Sequence, residues 1–402
     1  MQTKILIWAA AALAAVSCME MGDAYAPAAL NRLTVQAVYP EGTGQREGAT
    51  VTIENINGGG TYSMTTDRQA QATAHLPNGI YRVMVRDVDG EDIYNGTQDK
   101  VHVNDEDITL QLTLKHSRAG ALVIKELYTG GCSKAPQEGT WQSDTYAILH
   151  NNSLLTYYLD GLCLGTLSPY NATGNNHWLD AEGRLPETFL PITQALLMIP
   201  GDGDDFPLEP GGDAVVCLRG AIDHTREYPL SVNLNKSDYF VCYDPALFPN
   251  TTYHPAPGDQ VSQDRYLVIV IKTGQANAYT ISNASPTFVI FRPQGTDIRS
   301  FVQDAANIPQ EPGANDKAVA IPPAWVIDAV EVFDGRSSGN HKRLIDSIDA
   351  GYVTLSEPFK GHTVMRKRDQ AASIDLGFEV LQDTNNSSED FYERETQSLH
   401  EQ

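Results

Sequence analysis

Apolar and polar positions alternate between Leu33 and His116: Leu33, Val35, Ala37 and Tyr39 form one run, Val51 and Ile53 a second, and Tyr81, Val83 and Val85 a third. A two-residue period turns one side of an extended chain to a core and the other to water, so these runs predict half-buried strands. Between them stand Asn57-Gly58-Gly59-Gly60, Pro77-Asn78-Gly79 and Asp89-Gly90, residues that accept turn backbone. The spacing predicts about seven strands and a complete antiparallel sandwich over residues 32–116. From Ala121 further strand-like blocks follow, Leu122–Tyr128, Asp144–Ser153 and Tyr158–Leu164, and open a second β-rich region expected over residues 119–392. The fold class expected is mainly β, two sandwiches in tandem.

The first residues follow a different pattern. Lys4 precedes an apolar run from Ile5 to Val16, and the small residues Ala15 and Ser17 stand just before Cys18. That run is shorter than the roughly 20 residues needed to span a bilayer, and it reads as a secretion signal over residues 1–17. Leu13 and the block Ala15-Val16-Ser17-Cys18 resemble a bacterial lipobox. The resemblance implies that the Cys18 thiol is acylated and that the protein is held on a membrane by lipid, with residues 18–31 as a flexible tether.

Composition then narrows the partners. The 402 residues carry 28 basic and 51 acidic side chains, a formal charge of −23. Such a surface repels phosphate backbones, so nucleic acid is excluded as a partner. Export would place Cys132, Cys163, Cys217 and Cys242 in an oxidising compartment, where four thiols allow three disulfide pairings. Cys163 and Cys217 also sit inside apolar runs, which suits buried free thiols equally well.

Two family resemblances refine the architecture. The stretch Gly48–Ile53, then Thr66-Asp67, then Leu76–Val85 resembles prealbumin-like and carboxypeptidase-regulatory-like sandwich modules, although Arg68-Gln69-Ala70 stands where such modules often place Gly. The blocks Leu208–Val216, Trp325–Val330 and Gly361–Arg366, following the earlier strands in order, resemble a lamin-tail-type immunoglobulin-like sandwich. Such a fold closes in about 100 residues, so long inserts are expected around 170–195 and 220–320. With the ending Leu381–Phe391, the chain resembles an uncharacterised family of Bacteroidetes surface lipoproteins, which implies export and a surface location and no activity. Residues 393–402 are expected as a disordered tail.

Candidate chemistry is sparse. No GxSxG or HExxH motif occurs, and His177, His224 and His254 are isolated in loop-like stretches. Asp202, Asp204 and Asp205, with Asp213 further on, offer oxygen ligands for calcium, but Pro207 stands where an EF-hand loop needs Gly. Asp and Gly at a solvated turn explain the same residues. Residues 238–257 concentrate Tyr239, Phe240, Tyr243, Phe248, Tyr253 and His254, side chains suited to stack on a glycan or fill a protein partner's pocket, or to pin the insert to the sandwich. Arg366-Lys367-Arg368 reads as a solvated strand end. The function expected is a lipid-anchored, non-catalytic binding or assembly component of the outer membrane, serving an unidentified envelope protein or glycan, with no cofactor unless calcium. The alternatives are an enzyme accessory module or hydrolase built from dispersed residues, and a structural or adhesive surface subunit.

Overall fold

The computed structural model describes residues 30–401 apart from 59, 90, 91 and 314. The readings on residues 1–17 and on Cys18 lie outside these described residues.

Eight strands, one more than expected, form the first sandwich: β1 (Asn31–Val38), β2 (Thr50–Asn55), β3 (Thr61–Thr65), β4 (Gln71–Leu76), β5 (Gly79–Asp89), β6 (Asp92–Val103), β7 (Ile108–Thr113) and β8 (Lys115–Arg118). One sheet runs β4-β1-β7 and the other β3-β2-β5-β6-β8. The alternation does what a period of two requires: Leu33, Val35, Ala37, Val51, Ile53, Val83 and Val85 meet in a single core.

In the second region the strands are β9 (Leu122–Tyr128), β10 (Cys132–Ser133), β11 (Thr140–Trp141), β12 (Tyr146–Asn151), β13 (Tyr157–Tyr158), β14 (Cys163–Leu167), β15 (Leu190–Met198), β16 (Pro207–Leu208), β17 (Asp213–Cys217), β18 (Phe240–Val241), β19 (Val268–Lys272), β20 (Thr287–Phe291), β21 (Val319–Ile321), β22 (Val326–Asp334), β23 (Val353–Leu355), β24 (Thr363–Arg366) and β25 (Phe391–Arg394). A six-stranded sheet, β18-β17-β12-β9-β24-β25, faces a larger one ordered β19-β15-β14-β20-β22-β23, with β21 beside β15. Leu122, Ile124, Leu149 and Val216 from the first sheet pack against Leu164, Leu197, Phe288, Ile290 and Val330 from the second.

The stretches expected as inserts are in part sheet: β19 and β20, within 220–320, and the start of β15, within 170–195, are strands of the larger sheet, and the remaining connections cover the outer faces of both sheets. Val232, Leu234, Tyr239 and Val261 pack outside the six-stranded sheet on Tyr128, Tyr146 and Cys217. Ile298, Trp325 and Leu344 pack outside the larger sheet on Ile192, Val289 and Phe291. With apolar neighbours on both sides, β12 and β14 are buried at every residue.

Two expectations need correction or resolution. The stretch expected as a disordered tail is built in: β25 pairs antiparallel with β24, and Leu399 is buried against the outer cluster of the six-stranded sheet. The cause is Glu126, a fully buried carboxylate that needs donors and receives the Ser398 hydroxyl, together with the Ser398 backbone N–H at 3.1 Å. The four cysteines are free and buried. Burial raises the Cys132 and Cys163 thiols to about 12, so they behave as small apolar side chains.

Candidate functional site

The 238–257 insert is fastened by backbone bonds before its side chains matter. Phe240 and Val241 pair in parallel with Val216 and Cys217, and the Cys242 N–H donates to the Cys217 carbonyl at 2.9 Å. Asp244 then caps a turn by accepting from the Ala246 and Leu247 N–H groups, and Asn250 caps the next from Thr252 and Tyr253. This path turns most of the aromatic set inward. Phe240 is fully buried edge-on to Phe206, Phe248 is 2% exposed, Tyr239 is buried, and Tyr243 is half-buried over the His254 ring at 5.6 Å. Tyr253 alone of the six is exposed, at 44%. Of the six residues expected at a binding face, Tyr239, Phe240, Phe248 and His254 are therefore buried and Tyr243 half-buried, because an insert that covers a sheet must spend its apolar rings on that sheet.

Around His254 of the insert lie polar side chains, Arg219 and Tyr279, that motif reading does not single out. Arg219 stands two residues past the end of β17, its N–H donating to the Thr145 carbonyl at 3.2 Å. The residue is 6% exposed, yet its Nε and Nη2 have no acceptor. His254 is 2% exposed with both ring nitrogens unpartnered, and the Tyr279 hydroxyl, 1% exposed, is unpartnered too. Phe248 holds these last two rings in place, 5.1 Å from His254 and 6.4 Å from Tyr279. Burial, assisted by the nearby Arg219 charge, lowers His254 to about 4, so its ring is neutral. At the edge of the group, Asp144 accepts through Oδ2 from Ser231 at 2.6 Å and Tyr128 at 3.1 Å, while Oδ1 has no partner; burial pushes its carboxyl above the usual range.

His224 is satisfied. The Trp141 Nε1–H donates to its Nδ1 at 3.0 Å and its Nε2–H donates to the Gly220 carbonyl at 2.5 Å, which fixes a neutral tautomer whose pKa burial lowers. His177 is exposed on a separate loop.

The four acids weighed for calcium do not converge. Asp202, Asp204 and Asp205 ring a turn wound on the carboxylate of Asp160, which accepts from the N–H groups of Gly203, Asp205 and Phe206 at 3.0–3.1 Å. A Cβ at Gly201 would lie 2.0 Å from Asp160 Oδ1, so glycine is required for that approach. Asp213 belongs to another cluster. His150, Asp213 and Glu379 place ligand atoms within 4.8 Å of one another, but the Lys125 ammonium already stands 2.6 Å from both carboxylates. The Nδ1 of His150 lies 2.6 Å from Asp213 and its Nε2 donates to the Glu379 carbonyl. Burial alone would raise Asp213; the hydrogen bond from His150 and the charge of Lys125 outweigh it and leave the carboxyl lowered. Lysine fills the cation's place, and the group is an ion-paired tie between β9, β12 and β17.

Arg366, expected at a solvated strand end, is 2% exposed at the centre of three carboxylates: Asp328 at 2.5 Å, Asp383 at 3.3 Å and Asp390 at 3.5 Å. Its partners lie between 17 and 38 positions away in the chain, so no local pattern reveals them. Arg219 leaves a fainter trace, a lone charge closing the apolar run Ala214–Leu218.

Comparison with known proteins matches residues 209–398 to a family described as "Protein of unknown function (DUF4876)". No curated protein matches the chain. Among solved structures the chain is similar to a DUF4876 family protein from Bacteroides thetaiotaomicron VPI-5482, with 24% identity and a TM-score of 0.57 over 90% of this chain and 94% of that one. A DUF3823 family protein from Parabacteroides merdae ATCC 43184 matches over 35% of this chain and 67% of its own, with 14% identity and a TM-score of 0.17. At that score it carries no structural weight. The chain thus shares its fold, over nearly its whole length, with a DUF4876 protein of Bacteroides, and the matched segment holds Arg219, His254, Tyr279 and Arg366.

Proposed function

We propose that the chain is a lipid-anchored, non-catalytic binding or assembly component of the outer membrane of a Bacteroidetes cell envelope, displayed on the cell surface and serving an outer-membrane transporter or barrel. In this reading the first sandwich is a prealbumin-like spacer next to the lipid, and the second, of lamin-tail type, is the part that meets a partner protein or glycan. The observation that carries it is the sequence Lys4, apolar Ile5–Val16 and Cys18, with only twelve residues between Cys18 and the start of β1 at Asn31. Fully extended, those residues reach about 40 Å, which keeps the first sandwich close to the bilayer. No described helix is long and apolar enough to cross a membrane.

Replacing Cys18 by Ser tests the anchor. Native protein expressed in an envelope-bearing host incorporates radiolabelled fatty acid and sediments with membranes, whereas Cys18→Ser does neither. A Cys18→Ser protein that still sediments with membranes, or a native one that takes up no label, overturns the reading. Protease shaving of intact cells then tests surface display.

A further inference from the structure

We propose that Arg219, His254 and Tyr279 form an internal binding site for a small, weakly hydrated monovalent anion of chloride or bromide size. The argument begins with what the cluster lacks. Arg219 Nε and Nη2, both ring nitrogens of His254 and the Tyr279 hydroxyl are buried without hydrogen-bond partners, and the Arg219 charge acts on both rings. Native proteins rarely bury even one such atom unpaired, and a group of them in one place points to an occupant.

The charge balance selects its sign. A buried guanidinium is always protonated, and a buried charge needs a counter-charge. Two acids lie within electrostatic reach: Asp144, near Arg219, gives its Oδ2 to Ser231 and Tyr128, leaves Oδ1 unpartnered and makes no hydrogen bond to Arg219, and Asp244, near His254, accepts from the Ala246 and Leu247 N–H groups. The unpaired groups are mostly donors: guanidinium N–H, phenol O–H, and one N–H of a neutral imidazole. Water would meet their hydrogen bonds and leave the charge; an anion meets both. A metal ion is disfavoured by the same guanidinium.

The walls select the size. Phe248 packs against both His254 and Tyr279, and Tyr243 stacks on His254, so ring faces and edges hold the donors, and the single guanidinium balances one negative charge rather than the several of a multiply charged oxyanion. Tyr253, next in sequence to His254 and within electrostatic reach of Arg219, is 44% exposed, so the group lies close to solvent.

Bromide is the probe, on the full mature chain. Crystals soaked in sodium bromide should show an anomalous peak within hydrogen-bond distance of Arg219 Nε or Nη2. In solution, bromide at about ten times its Kd should raise the melting temperature of the second sandwich by about 3 °C over sodium gluconate of equal ionic strength. Tyr279→Phe, which removes one hydroxyl and keeps the ring, should weaken the bromide effect about tenfold. Arg219→Met should abolish it; if that variant fails to fold, the anomalous peak and Tyr279→Phe decide. Water at the position with no bromide peak, or an equal melting shift in Arg219→Met, overturns the proposal.

Discussion

At the scale of single residues, Arg366 shows how burial reverses the ordinary reading of a charge. Its Nε donates to the Ile124 carbonyl and its Nη1 to the Gln382 carbonyl, and three carboxylates face it. One cation among three acids leaves the group over-supplied with negative charge. Burial, and then the charge of Asp383, push Asp328 and Asp390 above the ordinary carboxylate range despite Arg366. An acid whose pKa is higher folded than unfolded holds more protons in the native state, so its contribution to stability falls as pH rises from about 4 towards neutrality. Asp328→Asn removes that titration. Chemical denaturation at pH 5 and pH 8 should therefore show the variant gaining on native protein at the higher pH; parallel slopes would refute the linkage. Arg366→Ala leaves the carboxylates uncompensated and should cost about 3–5 kcal/mol at pH 7 by the same measurement.

At the scale of elements, what was legible follows from periodicity. The alternation Leu33, Val35, Ala37 has one outcome, a strand with one face in a core, and the first sandwich obeys it. Leu122–Tyr128 could be placed as a strand but not on a layer, since continuous burial does not say which cover lies on each side. The inserts supply those covers, and their irregular sequence carries no period to read. The 238–257 segment illustrates the consequence: its aromatic content is visible, and the sequence leaves open whether the rings face a partner or pin the insert to the sandwich. Phe248→Ala should empty a site packed by His254 and Tyr279 and cost about 3–5 kcal/mol in a melt. Tyr253→Ala, on the exposed side of the same insert, should shift stability by no more than about 0.5 kcal/mol. If Tyr253→Ala melts far below native protein, the ring is part of the core and the insert offers no exposed aromatic contact to a partner.

At the scale of the molecule, the two sandwiches are joined by a link of three residues, between Arg118 and Leu122, and by side-chain contacts that include the ion pairs Arg86–Glu389 and Lys115–Glu187. Asn95, 1% exposed in the first sandwich, donates to the Thr384 carbonyl of the second. Arg82 lies 4.2 Å over the ring of Tyr352, which stacks at 3.7 Å on Phe333, and Arg82 is itself held by Asp99 at 2.7 Å. A guanidinium sandwiched between an acid and an aromatic face is an oriented contact with little apolar area, so its loss should free the orientation without unfolding either core. The short link then limits how far the halves can swing. The double variant Asn95→Ala, Arg82→Ala should accordingly keep both melting transitions, enlarge the radius of gyration in small-angle scattering, and admit protease at residues 119–121 faster than in native protein. An unchanged radius and cleavage rate would mean that the link and the remaining ion pairs set the arrangement. The spacer role proposed for the first sandwich needs the first outcome, because only a fixed angle between the halves gives the second sandwich a defined direction.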